Sequence, residues 1–272
     1  MEGRNRKFIL ELQKKARTRR ESGLYVIDGP KMAGEVPKEE AEDVYVTKDF
    51  LNSAHADDCS RLLREKGYTL VTDAEMKQMS DTVTPQGILV VARQRKVRGV
   101  KALIGNSKDK TPLLLILETI QDPGNLGTIL RAAEAAGVTG VIMNRETVDV
   151  YSPKVVRSTM GAVLRVPFLA VEDLEKCVEG LRDGAFTEGN PVRVMAAHLK
   201  GAVDYTAEDY RGACAVMIGN ESRGLSDELA ALSDSRILIP MCGSVESLNA
   251  AMAATIIAFE AARQRRGAGL SG

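Results

Sequence analysis

Three short turns hold most of the residues whose types could do chemistry: "DPGNLG" from Asp122, "IGNESRGLS" from Ile218 and "IPMCGSVESLN" from Ile239. Each stands after an apolar run and before a helix-like one, and strand-to-helix turns expose backbone N–H groups that hold polar ligands. Arg131 follows the first turn, and an arginine can hold a phosphate through charge-assisted hydrogen bonds. As plain structure, Asn125 would cap a helix starting near Leu126, Arg131 would be a surface cation and Glu221 a loop charge near a helix start. Ser226 would cap the helix after the second turn. Ser247 is a poor nucleophile, because no histidine base stands near it.

Other chemistries find little support. "DPGNLG" lacks the GK[ST] ending of a phosphate-binding loop and is not GxGxxG. The only histidines, His55 and His198, stand outside any run of metal-ligating types, so neither a metal site nor a histidine-based triad is expected. Cys59, Cys177, Cys214 and Cys242 form no CxxC pair and are expected to be reduced packing residues. No apolar run approaches the ~20 residues that cross a bilayer. The N-terminus has no apolar core of a secretory signal, so we expect a cytoplasmic chain without a membrane partner.

Formal charge is balanced, with 37 basic and 37 acidic residues, so the whole gives no case for nucleic acid. Its distribution differs: the first 20 residues carry eight basic residues against Glu2 and Glu11. Further basic clusters stand at "RQRKVRGVK" from Arg93 and "RQRR" from Arg263. Such clusters suit a phosphate backbone, and equally a solvated helix face.

The elements that must position these residues alternate in type. A basic amphipathic segment reaches about Ala16, and "LYVI", "VYV", "YTLV" and "GILVVA" read as strands, with "DDCSRLLREKG" and "DAEMKQM" as helices between them. This predicts a small α/β unit over 1–95, followed by a polar, basic linker over 96–111. From 112 to 272 a second unit begins with "LLLILE", a continuous apolar run suited to a parallel strand buried on both faces. "TILRAAEAAG" reads as a helix stopped by Gly137, and "VTGVIM", "VRVMAA", "CAVMIG" and "RILIP" as further strands before a long helix from Leu248. The fold class is therefore α/β, with a mostly parallel sheet covered by helices on both faces.

In order and fine sequence the three turns resemble one family, the SpoU/TrmH RNA 2'-O-ribose methyltransferases of the SPOUT class. "DPGNLGTILRAAEAAG" looks like its first motif, "IGNESRGLS" its second and "IPMCGSVESLNAAMAAT" its third. The resemblance runs from about residue 113 to 265. The first ninety residues resemble, more weakly, the family's small substrate-binding domain, with Asp28 and Pro30 departing from its apolar-Glu-Gly-Lys segment.

The resemblance implies S-adenosylmethionine as cofactor, a C-terminal trefoil knot, a homodimer and an RNA substrate, ribosomal RNA ahead of transfer RNA. It makes Arg131, Asn125, Glu221, Ser247 and Asn249 the catalytic candidates. Gly219, Asn220, Ile239, Met241, Leu248 and Asn249 become the cofactor-binding candidates, largely through backbone groups. Arg131 is expected to position a phosphate. The ordinary guanidinium pKa lies so far above neutral that removing the proton at pH 7 costs roughly 7.5–9 kcal/mol. Arg157 and Ser158 of "YSPKVVRSTMGAVLRVPF" either line the RNA side or serve a helix terminus. Two alternatives stay open: a non-catalytic RNA-binding protein on the same fold, and a base methyltransferase of the SPOUT class.

Overall fold

The computed structural model describes residues 3–105, 111–200, 202–244 and 247–269. Glu2, the side chain of Arg4, residues 106–110 of the expected linker, and Val245 and Glu246 of the third motif lie outside the described residues. The chain divides into two compact units, Met1–Lys96 with Asp149–Leu164, and Val97–Val148 with Arg165–Gly272. Two segments fall elsewhere than the sequence places them. Helix Val100–Gly105 lies within the expected linker, yet buries Val100 and Leu103 in the second unit's core. Residues 149–164, expected in the second unit, belong to the first.

The first unit is built on strands β1 (Leu24–Asp28), β2 (Ala41–Val46), β3 (Thr69–Leu70) and β4 (Ile88–Arg93), in sheet order β1-β4-β2-β3. β4 runs antiparallel to both β1 and β2, and its first five residues are buried. Ile9 and Leu12 of helix Gly3–Lys14 pack with Val26, Leu89 and Val91. Met76 and Met79 of helix Asp73–Met79 join them, and that helix opens on a capping box between Thr72 and Glu75. Tyr25 and Tyr151 pack with ring centroids 4.6 Å apart and planes tilted by 52°, fastening the 149–164 segment to β1.

Not all of the N-terminal basic cluster faces solvent. Arg19 is buried, donates to the carbonyls of Leu12 and Gln13, and pairs with Asp149 at 2.7 Å. Lys15 and Arg17 are exposed and pair with Glu11 and Glu21, and Lys7, Lys14 and Arg20 are exposed as well.

The second unit holds β5 (Leu113–Leu117), β6 (Gly140–Asn144), β7 (Phe168–Val171), β8 (Arg193–Ala197), β9 (Val203–Asp204), β10 (Cys214–Ile218) and β11 (Ser235–Leu238). Their order is β7-β6-β5-β10-β8-β11-β9, and every pair is parallel. β5 and β10 are adjacent and buried throughout, as their unbroken apolar sequences require. The chain leaves β5 for β6 on one side and later returns to β10 on the other. The β5/β10 boundary is therefore a topological switch point, where a crevice opens beyond the strands' carboxyl ends.

The first motif leaves β5 as helix Pro123–Ala136, ended by Gly137 at φ 75°. Its cap is Asp122, not Asn125: the Asp122 carboxylate accepts from the Asn125 N–H at 2.8 Å. Pro123 has no N–H to donate and suits the first helical position, so the helix starts earlier than the apolar pattern suggests. Helix Ala250–Gly267 lies along this helix, and Asn249 caps it by accepting from Ala251 and Met252. That moves the helix start two residues past Leu248. Near the far end, buried Arg265 donates to the carbonyls of Tyr210, Thr111, Pro112 and Gly212 at 2.7–2.9 Å.

Burial pushes the Cys59 thiol up to about 11 and the Cys177 thiol up to about 12, so both behave as apolar packing groups. Cys214 is buried as well, and Cys242 is exposed. Among the described residues no helix is long and apolar enough to cross a membrane, and no three His, Cys, Asp or Glu side chains gather as a metal site.

Candidate active site

Parallel strands bring the loops after β8, β10 and β11 out at one edge of the second sheet, and a cleft of about 600 Å³ opens among them. That volume falls within the range of small-molecule sites. Gly219, Asn220 and Glu221 line it from the loop after β10, and Ile239, Met241, Ser247 and Leu248 from the loop after β11. Ile218, Ile237 and Ile257 add apolar wall, while Lys200, Arg223 and Asp227 add charge.

The second motif folds into a tight turn closed by paired hydrogen bonds between Asn220 and Gly224, at 3.0 and 2.9 Å. Gly219 permits the closure. A methyl group there would sit 2.1 Å from the Gly224 carbonyl carbon and the Leu225 nitrogen, closer than atoms can approach. Asn220 is engaged within the protein: Nδ2 donates to the Thr119 carbonyl at 2.8 Å, and Oδ1 accepts from Ser222 and Arg223. Its contribution to the cleft is therefore the shape of the turn.

One residue from each motif joins a continuous chain of side chains. Asn249 Nδ2 donates to Asn125 Oδ1 at 2.9 Å, and Asn125 Nδ2 donates to Glu221 Oε1 at 2.9 Å. Asp122 caps the first helix through the backbone of Asn125, which leaves the Asn125 amide for this bridge. The structure thus brings Asn125, Glu221 and Asn249 together. Ser247 is exposed on the cleft, with no hydrogen bond to a histidine among the described residues. Arg131 is exposed on its helix, outside the cleft lining, and its side chain makes no hydrogen bond or ion pair among the described residues. Arg157 and Ser158 belong to the first unit, where Arg157 pairs with Asp81 and the Ser158 hydroxyl donates to its own helix. Ser226 caps helix Asp227–Ala231 as expected.

Sequence reasoning missed the β8 side of the cleft, His198 and Lys200. The rule that ligands gather beyond the carboxyl ends of parallel strands could have nominated them from "VRVMAAHLK". It also missed Glu118, whose carboxylate accepts from both the N–H and the hydroxyl of Ser226 and so ties β5 to the second motif.

The sequence matches the SpoU rRNA Methylase family over residues 112–259, a span that contains all three motifs and the whole cleft. The chain belongs to the SpoU rRNA methylase family. A second match, to the MRM3-like substrate binding domain, covers residues 5–90. Among SpoU relatives, rRNA methyltransferase 3, mitochondrial, of Xenopus tropicalis is 31% identical over 253 residues, and the alignment takes in 74% of this chain. This chain spans 61% of that relative's length. A putative TrmH family tRNA/rRNA methyltransferase of Staphylococcus aureus is 33% identical over 68% of this chain and 73% of its own length. In three dimensions the chain resembles the SpoU methyltransferase AviRb from Streptomyces viridochromogenes in complex with the cofactor AdoMet. That likeness has a TM-score of 0.83 and 25% identity over 97% of this chain and 99% of the other. An AdoMet-bound rRNA methyltransferase from Sinorhizobium meliloti gives a TM-score of 0.79 and 28% identity over 97% of this chain and 95% of its own.

Proposed function

We propose that this SpoU-family chain transfers a methyl group from S-adenosylmethionine to a ribose 2'-hydroxyl of RNA, ribosomal RNA ahead of transfer RNA. The observation that carries it is the cleft among the loops after β8, β10 and β11 with the Asn249–Asn125–Glu221 chain beside it. The residues present fit the cofactor. Ile239, Met241 and Leu248 offer apolar wall for a flat base, and the glycine-backed turn at Gly219 lets backbone come close. These four would hold it, largely through main-chain groups.

When bound, S-adenosylmethionine supplies a methyl group on a positively charged sulfur, an electrophile that needs no metal to react with an oxygen. The protein's task is then to hold a ribose hydroxyl in place and ease the loss of its proton. The Asn249–Asn125 amides fix the Glu221 carboxylate at the cleft, where a negative charge attracts a cation and accepts a hydrogen bond. Ser247 orients polar groups from the opposite loop. Arg131 holds an RNA phosphate.

An exposed Arg131 that lines no part of its own chain's cleft fits a site completed by a second copy. Helix Ala250–Gly267 supports the same homodimer reading, because Met252 and Phe259 stand 58% and 42% exposed on it. The family likeness further suggests a trefoil knot around the third motif. The first unit, with its MRM3-like match and exposed Lys7, Lys14 and Arg20, would supply RNA contacts.

To test the assignment, the protein is incubated with ribosomal RNA, transfer RNA and isotopically labelled S-adenosylmethionine, and the nucleosides are resolved by mass spectrometry. A labelled 2'-O-methyl nucleoside is expected. Cofactor binding without any such product would favour a non-catalytic RNA-binding protein, and label on a base would reassign the reaction.

A further inference from the structure

The two turns that carry Asn125 and Glu221 are held in register through one strained residue. Thr119, just past the end of β5, has φ 57°. That is the left-handed region, which a β-branched side chain enters only when its surroundings hold it there. Here the hold is complete, because all three polar groups of Thr119 are taken. Its N–H donates to Asn144 Oδ1 at 2.8 Å, its hydroxyl accepts from Asn144 Nδ2 at 2.7 Å, and its carbonyl accepts from Asn220 Nδ2 at 2.8 Å.

Asn144 ends β6 and lies outside the three motifs; Thr147 steadies it by donating to its Oδ1 at 2.9 Å. On one side, Thr119 sets the direction in which the chain leaves β5 for Asp122 and Asn125. On the other, its carbonyl anchors Asn220, whose Oδ1 collects the N–H groups of Ser222 and Arg223 around Glu221. The Asn144 clamp thus reaches both ends of the Asn125–Glu221 hydrogen bond without touching the cleft.

We propose that Asn144 is a positioning residue for methyl transfer, acting through Thr119 to set Asn125 against Glu221. The inference rests on the methyltransferase reading. Asn144→Ala removes the clamp without removing any side chain that lines the cleft. Small displacements of catalytic groups cost large factors in rate, so kcat per folded molecule should fall about tenfold. KM for the cofactor should change by less than kcat does, because Ile239 and Leu248 keep their contacts and only the Asn220 anchor beside Gly219 loosens. Asn144→Asp keeps the acceptor for the Thr119 N–H and can accept from its hydroxyl, so it should hold most of the rate. The double variant Asn144→Ala/Thr119→Gly should recover most of the loss, because glycine adopts φ 57° without a clamp.

A purely structural role predicts otherwise: a lower melting temperature with unchanged kcat on the folded fraction, which would overturn the proposal. So would a double variant as slow as the single one. Hydrogen exchange gives a readout independent of turnover. Peptides spanning 118–126 and 219–224 should exchange about tenfold faster in Asn144→Ala, and unchanged exchange sinks the inference. An unmodified chain that transfers no methyl group would refute the proposed function, while the exchange comparison would still decide the role of Asn144.

Discussion

Asn125 donates to Glu221 at 2.9 Å across 96 residues of sequence. The bond joins the turn after β5 to the turn after β10, and Asn249 closes the chain from the third motif. Asn125 accepts from Asn249 and donates to Glu221, so exchanging its amide for a carboxylate breaks the sequence of bonds.

Asn125→Asp places a second carboxylate against Glu221 and removes the donor between them. Two like charges at hydrogen-bond distance repel, and one pKa must rise. We expect methyl transfer to fall about 10- to 100-fold, in line with the cost of misaligned catalytic groups. Adding Glu221→Gln restores a donor facing the new aspartate, so the double variant should be faster than Asn125→Asp alone. Single-turnover rates for both variants check this.

Gly219→Ala drives a methyl group into the Gly224–Leu225 backbone, 2.1 Å away. Backbone cannot rotate aside as a side chain can, so the turn must open. Overpacking of about 1–3 kcal/mol corresponds to roughly 5- to 150-fold weaker binding of S-adenosylmethionine. Calorimetric titration measures it, and wild-type affinity would show that the turn does not form the cofactor wall.

Asp149→Ala leaves the Arg19 guanidinium buried without its carboxylate. The arginine side chain is 5% exposed and the aspartate 26%, so the cost should lie near the low end for broken buried pairs, about 3 kcal/mol. The chain has no tryptophan, and Tyr25 and Tyr151 report from the same unit. Urea unfolding followed by tyrosine fluorescence should therefore show the loss.

Asp28 carries a pH signature. Burial raises its pKa from the usual 3.8, against opposing hydrogen bonds from Ser80 and Thr82 and attraction from Arg157. The folded chain then holds this proton more tightly than the unfolded chain does. The resulting stability is fully present below about 3.8 and is lost as pH rises through the folded-state pKa. Asp28→Asn, neutral at every pH, should melt above the unmodified chain at pH 7, and the gap should close as pH falls below 3.8. Melting curves of both proteins across pH 3–8 test the sign.

What the sequence disclosed follows the range of the forces involved. β5 and β10 were legible because strands buried on both faces are apolar at every position. Gly137 was legible because a left-handed helix end favours glycine. β9 was not, being two exposed residues at the sheet edge, and β7, only partly buried, carries no alternation to mark it. Within the site the motifs named Asn125, Glu221 and Asn249, yet no local pattern announced their bonds. The hold of Glu118 on Ser226 spans 108 residues, and the strain at Thr119 is invisible in a residue type that favours strands. Asn125 was misplaced as a cap because Asp122 and Pro123 compete for the same helix start, and proline's missing N–H decides the contest.

Arg265 ends its side chain on four carbonyl oxygens and, among the described residues, no carboxylate. Carbonyls do not titrate, so this fastening of the last helix to the sheet has no acid-labile acceptor. As pH falls, the ion pairs elsewhere in the molecule lose their anions one by one, whereas this joint keeps its acceptors. In acid, the last helix should be among the final parts of the second unit to come away from the sheet.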